Sequence, residues 1–178
     1  MKTTLCVLLG CLMFSIPAIA QHHADLTPAE VDQLRDTAME PNQRLKFYLN
    51  FARERLVKLE QARADPKLTP DQRAAATHDR LQDFLDLYDE LNDNIDTYND
   101  RKDDIRKPLK NVIEADAEFQ NKLKALQDSV RSSGENTKTY EFVLSNAMDT
   151  LTESAKDHRE LLQDQEEAAK HKKIKKQE

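Results

Sequence analysis

Residues 81–130 read LQDFLDLYDELNDNIDTYNDRKDDIRKPLKNVIEADAEFQNKLKALQDSV. Alternate steps of three and four from Leu81 land on Phe84, Tyr88, Leu91, Ile95, Tyr98, Lys102, Ile105, Leu109, Val112, Asp116, Phe119, Leu123, Leu126 and Val130. Thirteen of these fifteen positions are apolar, and the two exceptions are Lys102 and Asp116. A repeat of 3.5 residues puts one dry stripe along a helix and leaves the rest of its surface wet. The phase runs through Pro108, and no Gly or Ser cluster lies nearby to turn the chain. A proline inside a helix forfeits one hydrogen bond and costs about 3 kcal/mol, so the helix either kinks or ends there. The stripe predicts one long helix over 70–131, kinked near Pro108, as the spine of an elongated antiparallel all-α bundle. The alternative ends one helix near Arg106 and restarts at Pro108, which gives a compact four-helix up-down bundle.

The flanks of this stretch carry the same message. Leu26-Thr27-Pro28-Ala29-Glu30 and Leu68-Thr69-Pro70-Asp71-Gln72 are helix starts. In each, a threonine cap precedes a proline at the first helical position, and an acid or amide three residues on closes a capping box. Asp65-Pro66-Lys67 and Ser132-Ser133-Gly134-Glu135-Asn136 are breaks. The predicted segments are 28–64, 70–131 and 137–170. The first carries Val31, Leu34, Ala38, Leu45, Tyr48, Ala52, Leu59 and Ala62 in one phase across Pro41. The last lines up Tyr140, Leu144, Ala147, Leu151, His158 and Leu161. Each segment has one dry face, and antiparallel packing through short connections hides those faces.

Composition agrees with helices and excludes much else. The chain has 178 residues, 34% of them charged, with 2 Gly and no Trp. So little glycine leaves few positions for hairpin turns or phosphate-cradling loops. At this length a single domain is expected, spanning 21–170. Residues 1–20 read as a secretory signal peptide: Lys2 supplies the positive start, Leu5 to Ile16 the apolar run, and Ala18-Ile19-Ala20 the cleavage site. Both cysteines, Cys6 and Cys11, fall within it, so the mature chain has no thiol for a disulfide or a metal. Without Lys2, 26 bases face 33 acids, a charge of −7. Such an acidic body is a poor partner for nucleic acid. The expected location is the bacterial periplasm or the exterior.

Candidate sites are few. Cleavage after Ala20 exposes Gln21-His22-His23, where a free amine, two backbone nitrogens and an imidazole form a square-planar set suited to Cu(II) or Ni(II). His22 and His23 are therefore the candidate metal ligands. His158 lies on the dry stripe of the last segment and reads as a buried, hydrogen-bonded histidine. Asp79, Asp83, Asp86, Glu90, Asp93, Asp96, Asp100 and Asp104 form an acidic band that reads as a solvated face, or a surface for a basic client protein. Residues 171–178 form a basic tail. With Lys170, its Lys172, Lys173, Lys175 and Lys176 suit a helix C-terminus or an anionic surface. No nucleophile with a paired base, no Glu-x-x-His pair and no resident cofactor is legible, so an enzyme is not expected.

Leu68-Thr69-Pro70-Asp71-Gln72 matches the L-T-x-x-Q motif of the Spy/CpxP-like periplasmic proteins, and Leu26-Thr27-Pro28-Ala29-Glu30 resembles it with Glu in place of Gln. The resemblance implies a secreted, all-helical envelope-stress chaperone or sensor-associated protein. Taken together, the expectation is an exported, non-enzymatic helical contact protein acting as scaffold, adaptor or chaperone-like binder, with self-association open to it. The alternative is a periplasmic metal-binding protein that uses the N-terminal histidine pair.

Overall fold

The computed structural model describes residues 25–174, with side chains from Asp25 to His171. These residues form five helices and no strand: α1 Pro28–Asp36, α2 Pro41–Ala64, α3 Pro70–Asp100, α4 Arg106–Ser133 and α5 Glu141–Ile174. The signal segment, His22, His23, Lys175 and Lys176 lie outside the described residues.

Both threonine motifs do what their chemistry dictates. The Thr27 hydroxyl accepts the Glu30 N–H at 3.3 Å, and the Glu30 carboxylate accepts the Thr27 N–H at 2.7 Å. Thr69 and Gln72 repeat the exchange at 3.3 and 3.0 Å. The expected continuity across Pro41 is not seen. Thr37 accepts the Glu40 N–H at 2.9 Å in a tight turn, and Pro41 opens a new helix, the position its missing N–H suits.

The single helix over 70–131 is not seen either. α3 stops at Asp100, and the chain reverses through residues 101–105. The Lys102 N–H donates to the Asn99 carbonyl at 2.9 Å and the Asp103 N–H to the Tyr98 carbonyl at 3.0 Å. That pair of bonds is a Schellman cap, which requires a left-handed residue; Lys102 supplies it with φ 63°. Pro108 then falls in the first turn of α4, where its lost N–H costs little. The compact four-helix bundle is the observed architecture.

α2 and α3 form one antiparallel hairpin, α4 and α5 a second. α2 packs on α3 and α4, α5 packs on α3 and α4, and α1 lies along α2. The α3–α4 connection therefore crosses the diagonal of the bundle. The neighbours α2 and α4 run parallel, as Arg53–Glu118 at 2.8 Å and Lys122–Glu60 at 2.6 Å show. The diagonal partners meet through aromatic rings. Phe119 stands edge-on to Phe84 at 5.4 Å and to Tyr88 at 6.3 Å between centroids. Apart from Leu126, which is half-buried, every apolar position of the stripe from Leu81 to Val130 is buried, so two helices present one stripe to one core.

Arginines tie the helices of the bundle together. Arg55, 1% exposed, grips Glu30 with both terminal nitrogens, at 2.6 and 3.0 Å, and so fixes α1 to α2. Its Nε lies 3.2 Å from Asp83 of α3, off the line of a hydrogen bond. In the last turn of α2, Arg63 reaches Glu135 of the α4–α5 connection at 2.9 Å, and the Tyr140 hydroxyl donates to the same carboxylate at 2.9 Å.

Candidate functional site

The two polar positions of the stripe mark the two features that depart from a plain bundle. Lys102 is the reversal. Asp116, on α4, is fully buried in the core. A carboxylate there must be hydrogen-bonded. One oxygen accepts the Tyr88 hydroxyl of α3 at 2.7 Å, and the other lies 2.9 Å from His158 Nδ1 of α5. Three helices thus meet at one carboxylate. Burial, followed by the Asp116 charge, pushes the Tyr88 phenol far above its usual range, so Tyr88 stays a donor.

His158 itself is 4% exposed. Nδ1 faces Asp116, so Nε2 lies on the far side of the ring. The ring lines a cavity of about 330 Å³ between the parallel helices α3 and α5. Asn92 lines it too. Its amide nitrogen donates to Ser154 Oγ at 2.9 Å, while its buried Oδ1 has no hydrogen-bond partner. Asp96 and Asp157 stand at the mouth, and Ile95 and Leu161 supply apolar wall. Burial and the neighbouring Asp93 and Asp100 carboxylates raise the Asp96 carboxyl above its ordinary range.

A second opening lies between α2 and α4. It holds about 410 Å³ over a floor of Leu56, Leu59, Leu123 and Leu126, with Glu60, Arg63 and Lys122 at its edges. Ala125 is exposed beside it, as is Val57 on the outer side of α2. Phe142, 84% exposed, projects at the end of the bundle where α2 finishes and α5 begins.

The residues singled out in the sequence distribute unevenly. His158 is buried and hydrogen-bonded as expected. The acidic band is not one solvated face. Asp79, Asp93, Asp96, Asp100 and Asp104 are exposed, whereas Asp86 is buried with Gln82 donating to it at 2.7 Å, and Asp83 is turned in against Arg55. Lys170 is exposed near the end of α5, and Lys172 and Lys173 fall within that helix. Sequence reasoning missed Asp116, Tyr88 and Asn92 as site residues, although Asp116 stood out as an acid in an apolar slot. Among the described residues no three His, Cys, Asp or Glu side chains are grouped to hold a metal ion. No helix among them is long and apolar enough to cross a membrane. Set against known proteins, the chain matches no family model, no curated protein and no solved structure.

Proposed function

We propose that this chain is an exported, non-enzymatic helical contact protein of the bacterial envelope, a scaffold, adaptor or chaperone-like binder. The observation that carries the reading is the apolar groove between α2 and α4, open along two parallel helices and edged by charges of both signs. Leu56, Leu59 and Leu123 are themselves buried, so a partner seated there would meet the half-buried Leu126, the exposed Ala125 and the charged edges. The exposed ring of Phe142 adds a second apolar feature. The signal-like residues 1–20 and the resemblance to the Spy/CpxP-like proteins support the envelope location.

A photo-crosslinking residue at Ala125, in the groove, tests the reading in living cells. A control at Asp93, exposed on the diagonally opposite α3, reports background. The expected result is a discrete protein adduct from position 125, absent at 93 and lost in Leu126→Asp. Equal labelling from both positions, or none from either, overturns the contact reading. N-terminal mass spectrometry tests export separately. The expected terminus is Gln21 or its cyclised form; retained Met1, or a lipidated Cys11, overturns the assignment to a soluble envelope protein.

A further inference from the structure

We infer that α1 is a displaceable strap, and that the face of α2 beneath it docks an amphipathic helix of a partner protein, one with a carboxylate set between two aliphatic residues at four-residue spacing. The inference adds a second contact face to the groove between α2 and α4 and does not depend on that groove.

Two arginines mark the ends of this face. Arg55 takes the Glu30 carboxylate of α1 at 2.6 and 3.0 Å. Arg44, about three turns nearer the start of α2, donates to the Leu34 carbonyl. Phe51 and Phe47 precede Arg55 by four and eight residues, so all three share one side of α2. Their rings stack at 6.1 Å between centroids, and Phe51 is 5% exposed. α1 runs from one arginine to the other, across this aromatic strip. A strip of rings ending in a buried cation suits a helix with an apolar side and one acid, which is what α1 itself presents.

The attachment is slight. Leu26, Glu30 and Leu34 recur at four-residue spacing; the last two are buried and Leu26 is half-buried. Every other side chain of α1 is exposed. A helix of nine residues is marginal on its own in water, so its order rests on those few contacts.

The decisive observation is at Arg55. Withdrawing a carboxylate from a buried arginine ordinarily strands a charge and is strongly opposed. Here a second partner is already in place. Arg55 Nε lies 3.2 Å from one oxygen of Asp83 on α3 without a hydrogen bond, and the other Asp83 oxygen is buried and unpaired. The second cation near Asp83, the exposed Arg80, stands 4.0 Å away. When Glu30 leaves, a turn of the guanidinium closes its fork on Asp83. The core then keeps a paired arginine with α1 on or off, and a partner's carboxylate restores the first pairing. That exchange makes the strap a two-state element and gives the face its preference for an acid.

The probe is a fluorescent peptide of residues 25–38, the strap's own sequence, titrated by anisotropy into the protein as isolated from its host. Glu30→Gln in the protein loosens the strap and should tighten peptide binding about tenfold or more over the wild type. The same substitution in the peptide should weaken binding to the loosened protein by a similar factor. Leu34→Ser in the protein loosens the strap without touching the ion pair and should also tighten binding. On the wild type, hydrogen exchange at the Leu34 and Arg35 amides should run about a hundredfold faster than at Leu87 and Leu91 of α3. Three results would each overturn the strap: binding indifferent to both Glu30 substitutions, no binding to either loosened variant while it remains helical by circular dichroism, or exchange of α1 only together with α3. A loosened variant that sediments as a dimer and is dissociated by the peptide would assign the face to a second copy and overturn the external partner.

Discussion

Asp116 shows how one residue can be both a stability hazard and a positional device. It is buried among apolar neighbours, and its two oxygens meet the Tyr88 hydroxyl and the His158 ring. Asp116→Ala strands two buried polar groups at once. The expected loss is about 2–6 kcal/mol, at about 1–3 kcal/mol for each stranded group, read from the shift of the urea midpoint. Tyr88→Phe removes one hydroxyl and should cost about 1–2 kcal/mol by the same measurement. Lys102 offers the opposite case. Its left-handed backbone is strained for a residue with a Cβ, by roughly 1 kcal/mol or more. Lys102→Gly should therefore raise stability by about 1 kcal/mol; a lower melting temperature would mean that the lysine side chain compensates the strain. Both residues were visible in the sequence as polar slots in an otherwise apolar stripe. Their roles were not, because a heptad phase records which side of a helix is dry and is silent on whether the helix is interrupted.

At the scale of elements, the interruption stayed hidden because Ile105, the slot after Lys102, is fully buried at the start of α4. The reversal re-enters the core in the phase it left, so periodicity sees no gap. Helix starts were far more legible. Thr27 and Thr69 both cap, since a hydroxyl three residues before a carboxylate or amide has only local partners to find. What the motifs could not show is why one ends in Glu30 and the other in Gln72. Gln72 serves only its own cap at the surface. Glu30 also meets the buried Arg55. Burial pushes its carboxyl upward, but the Arg55 hydrogen bonds and the Thr27 N–H and hydroxyl prevail and hold it at about 2. A depressed carboxyl stabilises the fold above its unfolded value, about 4.3, and that contribution fades as pH falls toward 2. The difference amounts to about 3 kcal/mol. Stability measured in urea from pH 6 to pH 2.5 should drop for the wild type, and Glu30→Gln should flatten much of that slope while lowering stability at pH 6.

For the whole molecule, the choice between rod and bundle is a matter of length. A continuous helix over 70–131 would extend about 90 Å at 1.5 Å per residue, whereas α5, the longest helix observed, has 34 residues and spans about 50 Å. Small-angle scattering at monomeric concentration should give a maximum dimension of about 55–65 Å; a value near 90 Å would restore the rod. Fold class and dry faces were readable from composition and periodicity. Which helices become neighbours was not, because all four long helices carry similar stripes and no pairwise signal distinguishes adjacent corners from diagonal ones. The α3–α5 cavity inherits that limit, since Asn92, Asp96, Asp157 and His158 meet only once α3 and α5 are placed side by side.

The diagonal crossing between α3 and α4 also sets an order of events in time. Each hairpin joins helices through a short loop and closes cheaply, while contacts between hairpins wait for the two halves to dock. The Tyr88–Asp116 bond spans the halves, whereas Asp116–His158 lies within the second. Two removals at the same carboxylate should therefore leave different kinetic marks. Loss of the Tyr88 hydroxyl should speed unfolding and hardly slow folding, and loss of the His158 partner should slow folding as well. A protein whose halves part before they unravel would expose the walls of both grooves together, so whatever occupies either one also governs how long the molecule stays closed.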